Sequence, residues 1–447
     1  MMNDKRKTIS DKHTSTHKQI SGSQNTPRTT NPKKCVSQSN SLKKTTASNA
    51  AFISSLFETA SLSRETNAIL NSFDDIIQGI RSLNSRQLQQ LPENIRKLSH
   101  QLTDERASRR LGYMNDNIQL SSYVRYYTWW NLVRLTRLFA NLPDSVFPKS
   151  DCTCLDLGSG PLTVVTALWL ARPELRKLRL TWYCLDVSAN SMALGEDIFL
   201  SIAARTGEEP WHIVRVKGAF GTAIKQKAGF LTCANMFNEL DQASDMPPEF
   251  QTKKYFEQIE RYCEKGAGVI LVEPGVPKAA RTLSLMRTRF LKEGRKIAAP
   301  CPHALECPMT GFKAYTGSKN KWCNFAFTTE DAPARLQKLS ELAKLPKERA
   351  TLSFIAVEAA GAANAENSKE SINVRIASDK LKLPNYMCGF YGCTQYGLAL
   401  ITLPAENNTK LAKPSFRPKS GDLISVKTKT PDSLPKDEKS GAVIIEL

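Results

Sequence analysis

The sequence predicts an α/β fold with a mostly parallel sheet, and two observations support this prediction. First, the short apolar run 152–157 reads as a buried strand, is followed by the glycine turn 158–160, and leads into residues with helical spacing. Pro161 suits the first turn of a helix, where its missing N–H is not needed. Second, apolar strands and amphipathic helices alternate from there to about residue 293, as in doubly wound sheets.

The glycine turn predicts a nucleoside ligand rather than a dinucleotide. A dinucleotide fingerprint needs a third glycine at position 163, which is Thr163 here. Asp156, two residues before the first glycine, makes the turn similar to motif I of S-adenosylmethionine-dependent methyltransferases. Asp186 ends the next apolar run, where a ribose-binding carboxylate belongs. The alternative is a purely structural turn followed by an unrelated aspartate.

Charge and composition point to a polyanionic partner and a reducing compartment. The chain has 447 residues, a net charge of +19, 41% hydrophobic residues and eleven cysteines. This basic balance favours nucleic acid as the partner over a membrane. No apolar run reaches the ~18 residues of a spanning helix. Length and the nucleotide-type fold argue against a disulfide framework.

The composition divides the chain into five segments. They are a disordered basic tail (1–50), a helical N-terminal domain (51–146), a Rossmann-like core (147–295), a cysteine-rich segment with the last strands (296–404) and a flexible basic tail (405–447). The first tail is rich in lysine and has no apolar stripe, which favours an RNA-binding tail over a transit peptide. In the last tail, residues 443–447 are apolar enough to pack against the folded part.

Two stretches of the helical segment are informative. Residues 51–57 are expected to open a helix. Residues 120–139 interleave tyrosines and tryptophans with arginines, a composition that could grip RNA by stacking. An ordinary helix with its aromatic face in the core and a charged outer face is the preferred interpretation.

In a parallel sheet, the loops at the carboxyl ends of the strands line the ligand crevice. The expected cofactor-binding residues therefore come from the ends of three strands, and they are Asp156, Gly158, Ser159, Gly160, Asp186, Asn235 and Glu239. Asp156 is expected to order the turn or meet the amino-acid end of the cofactor, and Asp186 to accept the ribose hydroxyls. The loop from Asn235 to Glu239 lacks the proline pair typical of base-N methylases, so no catalytic residue is assigned.

Five cysteines fall in stretches without core periodicity and are candidate metal ligands. They are Cys301, Cys307, Cys323, Cys388 and Cys393. Two of them precede proline, a pattern known at cluster ligands. Four thiolates can bind zinc or an iron–sulfur cluster, and His303 offers a Cys3His zinc site as a further alternative. Unliganded loop cysteines are the less favoured alternative.

Taken together, these motifs resemble a known family. The chain is similar to the methyltransferase-like proteins associated with the small ribosomal subunit, whose bacterial members are related to the mitochondrial assembly factor methyltransferase-like protein 17 and its fungal counterpart. The resemblance covers about 102–403 and depends on an ordered set of motifs. These are Leu102–Arg106, Leu155–Leu162, Phe237–Leu240, Val272–Gly275, Cys301–His303, Cys307–Pro308, Trp322–Cys323 and Cys393–Thr394.

The resemblance implies a S-adenosylmethionine pocket, association with small-subunit rRNA and a [4Fe–4S] cluster. Carried onto this sequence, it implies Cys301, Cys307, Cys323 and Cys393 as ligands, with Cys388 in reserve for the fourth. It implies a role in ribosome assembly or translation, in the cytoplasm of a bacterium or the mitochondria of a eukaryote, and we expect a monomer off the ribosome. The alternatives are a non-catalytic RNA-binding assembly factor and a zinc-stabilised binding module.

Overall fold

The computed structural model describes residues 50–103, 113–240, 246–312, 321–359, 371–408, 414, 416–427 and 434–447. The predicted basic tail therefore lies outside the described residues, apart from Ala50. So does most of the motif 102–106.

Eleven α-helices are described in these ranges. They are α1 (Arg64–Asn71), α2 (Phe73–Ile80), α3 (Ser85–Thr103), α4 (Asn117–Tyr123), α5 (Trp129–Ala140), α6 (Thr163–Ala171), α7 (Ala189–Thr206), α8 (Phe237–Leu240), α9 (Pro248–Tyr262), α10 (Pro277–Lys292) and α11 (Ala334–Leu342). A π-helical turn, Val124–Thr128, joins α4 to α5.

The strands form two sheets. They are β1 (Ala50–Ser54), β2 (Thr153–Leu157), β3 (Thr181–Asp186), β4 (His212–Lys217), β5 (Ala228–Ala234), β6 (Cys263–Glu273), β7 (Ile297–Ala299), β8 (Phe325–Thr328), β9 (Arg349–Val357), β10 (Ile372–Ile376), β11 (Leu381–Leu383), β12 (Met387–Thr394), β13 (Gly397–Pro404), β14 (Leu423–Val426) and β15 (Val443–Glu446).

The main sheet confirms the predicted α/β fold and shows that it is mixed. Its order is β4-β3-β2-β5-β6-β9-β7, with β8 also pairing with β9. The first five strands are parallel, and β9 runs antiparallel to β6. The order reverses at β2, which is the first strand of the sheet along the chain. A crevice therefore opens at the carboxyl ends of β2 and β5, the position expected for a ligand.

The second sheet corrects the prediction of a flexible tail from residue 405 onward. Its order is β1-β14-β10-β12-β13-β15, and β11 pairs with β12. Strand β14 lies between β1 and β10 and buries Ile424 and Val426. Polar and proline-rich flanks suggested a tail, but four-residue apolar stretches are long enough to complete a sheet that other strands have begun.

The expected helix at 51–57 is also wrong, because Ala50–Ser54 is strand β1 and pairs with β14. The helices that follow do not form a core of their own. Phe73 and Ile95 belong to the same buried cluster as Trp169 and Trp182 of the main sheet layer. The helical segment is thus one layer on the sheet rather than a separate domain.

The aromatic and basic stretch 120–139 forms part of this shared core. Trp129 is buried and donates its indole N–H to the Leu70 carbonyl. Arg137 is buried and pairs with Asp331 at 2.7 Å. These side chains are therefore used in packing, as the preferred interpretation predicted, and not as an exposed stacking surface.

Candidate cofactor crevice and thiol cluster

The glycine turn is held in a conformation that favours glycine. Gly158 and Gly160 have φ angles of 67° and 49°, in the left-handed region. The Gly158 N–H donates to the Leu185 carbonyl at 2.9 Å, which ties the turn to the end of β3. Leu162 also has a positive φ of 51°, so α6 begins at Thr163 and not at Pro161 as expected.

Asp186 closes the turn from the neighbouring strand. One carboxylate oxygen accepts the Gly160 N–H at 2.9 Å and the other accepts the Ser188 N–H at 2.8 Å. The same Ser188 caps α7 by accepting the Ser191 N–H. Burial raises the pKa of Asp186, whereas these N–H groups oppose the rise. The carboxylate is thereby fixed at the crevice wall.

The crevice brings together six of the seven predicted cofactor residues. Gly158, Ser159, Gly160, Asp186, Asn235 and Glu239 all line it, and its volume is about 140 Å³. Its walls continue through Gly218–Phe220 after β4 and through Tyr123 and Asn131 of the helical layer. The described wall therefore combines main-chain groups, one fixed carboxylate and apolar surface, a mixture typical of nucleoside sites.

Asp156 is the exception, because it lies beneath the crevice and does not line it. Its side chain is fully buried, and one oxygen accepts the Thr232 hydroxyl at 2.7 Å. The other oxygen is buried with no hydrogen-bond partner among the described residues. Burial raises the pKa of Asp156 to about 7. Of its two predicted roles, the geometry fits ordering the turn and not contact with a ligand.

Three residues that sequence reasoning missed shape the crevice. Gly195 on α7 touches the turn so closely that an added Cβ would lie 2.3 Å from the Pro161 carbonyl carbon. Met236 would lie 3.1 Å from a Cβ at Gly158, and Met114 3.7 Å from one at Gly160. An added side chain at these glycine positions would therefore occupy the space around the turn. Of these three residues, only Gly195 had a signal in the sequence, because it is a glycine inside a predicted helix.

The four predicted metal ligands converge from three segments. Cys301 and Cys307 follow β7, Cys323 precedes β8 and Cys393 lies within β12. Burial raises the pKa of Cys323 well above its ordinary value, and the nearby Cys307, Cys301 and Cys393 raise it further. The same neighbours, Cys301 and Cys307, act on Cys393. These mutual effects require the four thiols to be close to one another.

Basic side chains surround these thiols. The Arg287 Nε donates to the Cys301 sulfur at 3.0 Å, and its Nη2 donates to the carbonyls of His303 and Leu305. Arg375 donates to the Pro300 carbonyl and contributes positive charge to the group. The positive charges of Arg287 and Arg375 lower the pKa values of Cys301 and Cys393, which opposes the larger rise that burial causes.

The structure separates Cys393 from Cys388. Both lie in strand β12 and not in a loop as expected, and five positions separate them, so they face opposite sides of the sheet. Cys388 belongs to the apolar cluster of the second sheet, and its sulfur lies 3.9 Å from the Pro404 carbonyl oxygen. Cys393 is therefore the member of this strand that faces the other three thiols.

No group of three or more histidine, cysteine or acidic side chains within the described ranges is arranged to hold a metal ion. This finding applies to the four predicted thiol ligands as well as to the Cys3His zinc alternative, so the described residues do not support a metal site at either. His303 instead contacts a thiol, with its Nε2 3.1 Å from the Cys393 sulfur.

The part of the chain that the structure describes contains no helix that is both long and apolar enough to cross a bilayer.

Comparison with known sequences identifies one family. The family described as "Rsm22: Mitochondrial small ribosomal subunit Rsm22" matches residues 121–382. This range includes the glycine turn, Asp186 and the first three candidate thiols. A comparison with curated protein sequences found no match.

Solved structures with partial similarity are methyltransferases. A ribosomal protein L11 methylase from Lactobacillus delbrueckii subsp. bulgaricus is 14% identical, with 38% of this chain and 70% of that chain covered and a TM-score of 0.25. An S-adenosylmethionine-dependent methyltransferase from Geobacter sulfurreducens, solved with S-adenosyl-L-homocysteine, is 13% identical. That match covers 51% of this chain and 90% of the other, with a TM-score of 0.29.

Proposed function

This chain belongs to the Rsm22 family, and we propose that it is a methyltransferase-like protein that binds S-adenosylmethionine and acts with the rRNA of the small ribosomal subunit. The family's description supports the ribosomal partner, and it supports a mitochondrial location if the source is a eukaryote. The net charge of +19 suits a protein that docks on RNA.

One observation carries the choice of cofactor. The glycine turn after β2 and the Asp186 carboxylate after β3 share one crevice, and Asp186 already orders the Gly160 N–H. A nucleoside placed there would meet the exposed backbone of the turn, which carries no side chain at Gly158 and Gly160, and a carboxylate able to accept its ribose hydroxyls. When bound, S-adenosylmethionine would supply an activated methyl group, and the chain's own residues would bind and orient it.

Equilibrium dialysis of labelled S-adenosylmethionine against Asp186→Ala tests this proposal. We expect at least a tenfold loss of affinity, because hydrogen bonds to a charged group contribute about 1.5–3 kcal/mol. Asp197→Ala is the matched control, since Asp197 is an exposed carboxylate on α7. Equal affinities of the wild type and both variants, or no binding by any of them, would refute the cofactor assignment.

We also propose that Cys301, Cys307, Cys323 and Cys393 hold a [4Fe–4S] cluster. Four converging thiols and two guanidinium groups support it. The cluster would supply an electron-accepting or structural centre that joins the two sheets.

The cluster is tested by iron content and visible absorbance after anaerobic purification. We expect Cys393→Ser to lose both and Cys388→Ser to keep both, because only Cys393 faces the other thiols. Zinc without visible absorbance, or equal iron in both variants, would contradict this assignment.

A non-catalytic assembly factor is the second candidate function. Asn235 is followed by Met236, whose side chain lies against the glycine turn. Among the described lining residues, the titratable groups are Tyr123, Asp186 and Glu239, and Asp186 is engaged by the backbone. Labelled methyl transfer to small ribosomal subunits separates the two functions: binding without incorporation would favour the non-catalytic role.

A further inference from the structure

A second cavity of about 520 Å³ opens beside the cofactor crevice. Its walls come from α5, from Pro274 after β6 and from the loop that leads into β9. Asn131 lines both cavities, so they are adjacent.

Lys347 provides an uncompensated positive charge in this cavity. Its Nζ lies 5.5 Å from the Tyr126 ring centre and 5.4 Å from the Trp130 ring centre. No ion pair joins it to a carboxylate of the described residues. Surrounding atoms lower its pKa to about 8, with burial as the main cause and the charge of Arg134 as the second. The side chain nevertheless stays charged at neutral pH and reaches solvent through the open cavity.

Arg134 provides a second cation that is rigidly held. Its Nη1 donates to the Thr351 carbonyl at 3.1 Å, and its Nη2 donates to the side-chain oxygens of Asn131 at 2.8 Å and Asn235 at 3.0 Å. Both of these asparagines also line the cofactor crevice. The guanidinium therefore forms the partition between the two cavities.

The carboxylates near the cavity compensate its cations unequally. The charge of Glu273 stabilises the Arg134 guanidinium, and Arg349 is paired with Asp379 at 2.6 Å. Lys347 forms no ion pair with a described carboxylate, and the neighbouring Glu348 is exposed at the rim. An anion that enters the cavity would therefore find its partner first in Lys347.

We propose that this second cavity binds one nucleotide of single-stranded RNA, with its phosphate received by Lys347 and Arg134, next to the methyl-donor crevice. The inference rests on the proposed function, because it takes RNA as the partner. A phosphate between an ammonium and a guanidinium makes charge-assisted hydrogen bonds. Asn131 and Asn235 lie between this cavity and the cofactor crevice. A nucleotide bound in the cavity would therefore place the base of the adjacent nucleotide at the mouth of the crevice.

The test uses the full chain and a fluorescein-labelled ten-nucleotide single-stranded RNA, with affinity measured by anisotropy at several salt concentrations. We expect Lys347→Gln to weaken binding about fivefold. The slope of log K against log salt should become shallower by about 0.7, the value for one lost phosphate contact to a single strand. Lys347→Arg should restore both. Lys338→Gln is the matched control, because Lys338 is exposed on α11.

Crosslinking assigns the contact to the cavity and excludes a general effect of charge. The same RNA carrying 4-thiouridine should crosslink to peptides that contain 130–134 or 346–351, and Lys347→Gln should reduce that yield. Equal slopes for wild type and Lys347→Gln, or crosslinks confined to other segments, would overturn the proposal. Dialysis of S-adenosylmethionine on the same variants reports the cofactor separately, so either proposal can fail alone.

Discussion

At the scale of single residues, Asp156 is a motif carboxylate that does not line the crevice next to it. It is buried under the glycine turn, and the Ser159 hydroxyl donates to its backbone carbonyl at 2.8 Å. Its own carboxyl has one partner, Thr232. A buried carboxyl with a single neutral donor binds a proton more tightly than in the unfolded chain.

This burial predicts a pH dependence of stability. Because the pKa of Asp156 rises from 3.8 to about 7 on folding, its stabilising contribution is complete below about pH 3.8 and is lost as the pH rises through 7. Asp156→Asn cannot titrate, so the stability difference between wild type and variant should change across this window. Urea unfolding at several pH values measures it, and a constant difference from pH 4 to 8 would contradict the assigned protonation.

A single methyl group added at Gly195 is expected to lower the stability of the protein. Gly195→Ala places a Cβ against the Pro161 backbone, and we expect a loss of about 1–3 kcal/mol in the free energy of unfolding. Gly79→Ala is the control, because that helical glycine has open space around it and should gain up to about 1 kcal/mol. Thermal or urea unfolding of both variants checks the opposite signs.

At the scale of elements, β14 is a strand that was not predicted from the sequence. It lies between the edge strand β1 and β10 in the second sheet, and Ile424 is fully buried whereas Ser425 is half-buried. Alternate positions of a strand face opposite sides, so neighbouring substitutions should differ sharply.

We expect Ile424→Asp to lower the melting temperature strongly, since it places a charge in the apolar cluster of that sheet. Ser425→Asp should be tolerated. Scanning fluorimetry compares the two variants with the wild type. A flexible tail would accept both substitutions equally, and that result would contradict the observed pairing.

The predictable part of this molecule is the part with strong local signals. The glycine turn and the strand ending in Asp186 have periodicity and turn chemistry that need no distant partner. The strand at Ala50–Ser54 could not be foreseen, because its partner β14 lies some 370 positions later in the chain. Likewise, the choice between Cys388 and Cys393 depends on the register of β12, and residue spacing alone does not contain it.

The candidate site shows the same contrast between features with a local sequence signal and features that depend on tertiary packing. Backbone features placed Gly158, Gly160 and Asp186 correctly at the crevice, because loops at strand ends must meet at one edge. Asp156 was misplaced as a potential ligand contact, since side-chain direction along β2 turns it into the layer below. Met114 and Met236 carry no motif, and their place over the turn follows only from tertiary packing.

At the scale of the whole molecule, charge is the property that relates the chain to its proposed partner. Residues 1–49 contain ten lysines and arginines and two aspartates, which supply eight of the nineteen net positive charges. Deleting them should weaken binding to small ribosomal subunits and make the slope of log K against log salt shallower. Filter binding at 50–300 mM salt measures both, and an unchanged slope would show that this segment does not contact RNA.

The pairing of β1 with β14 has a consequence for how the chain matures. Strand β1 is synthesised early, whereas β14, with which it pairs, follows about 370 residues later. A loop of this length has an entropic cost of closure, and contacts so distant in sequence form slowly. The second sheet therefore cannot acquire its full set of strands until β14 has been made, and its completion is expected to be a late step of folding.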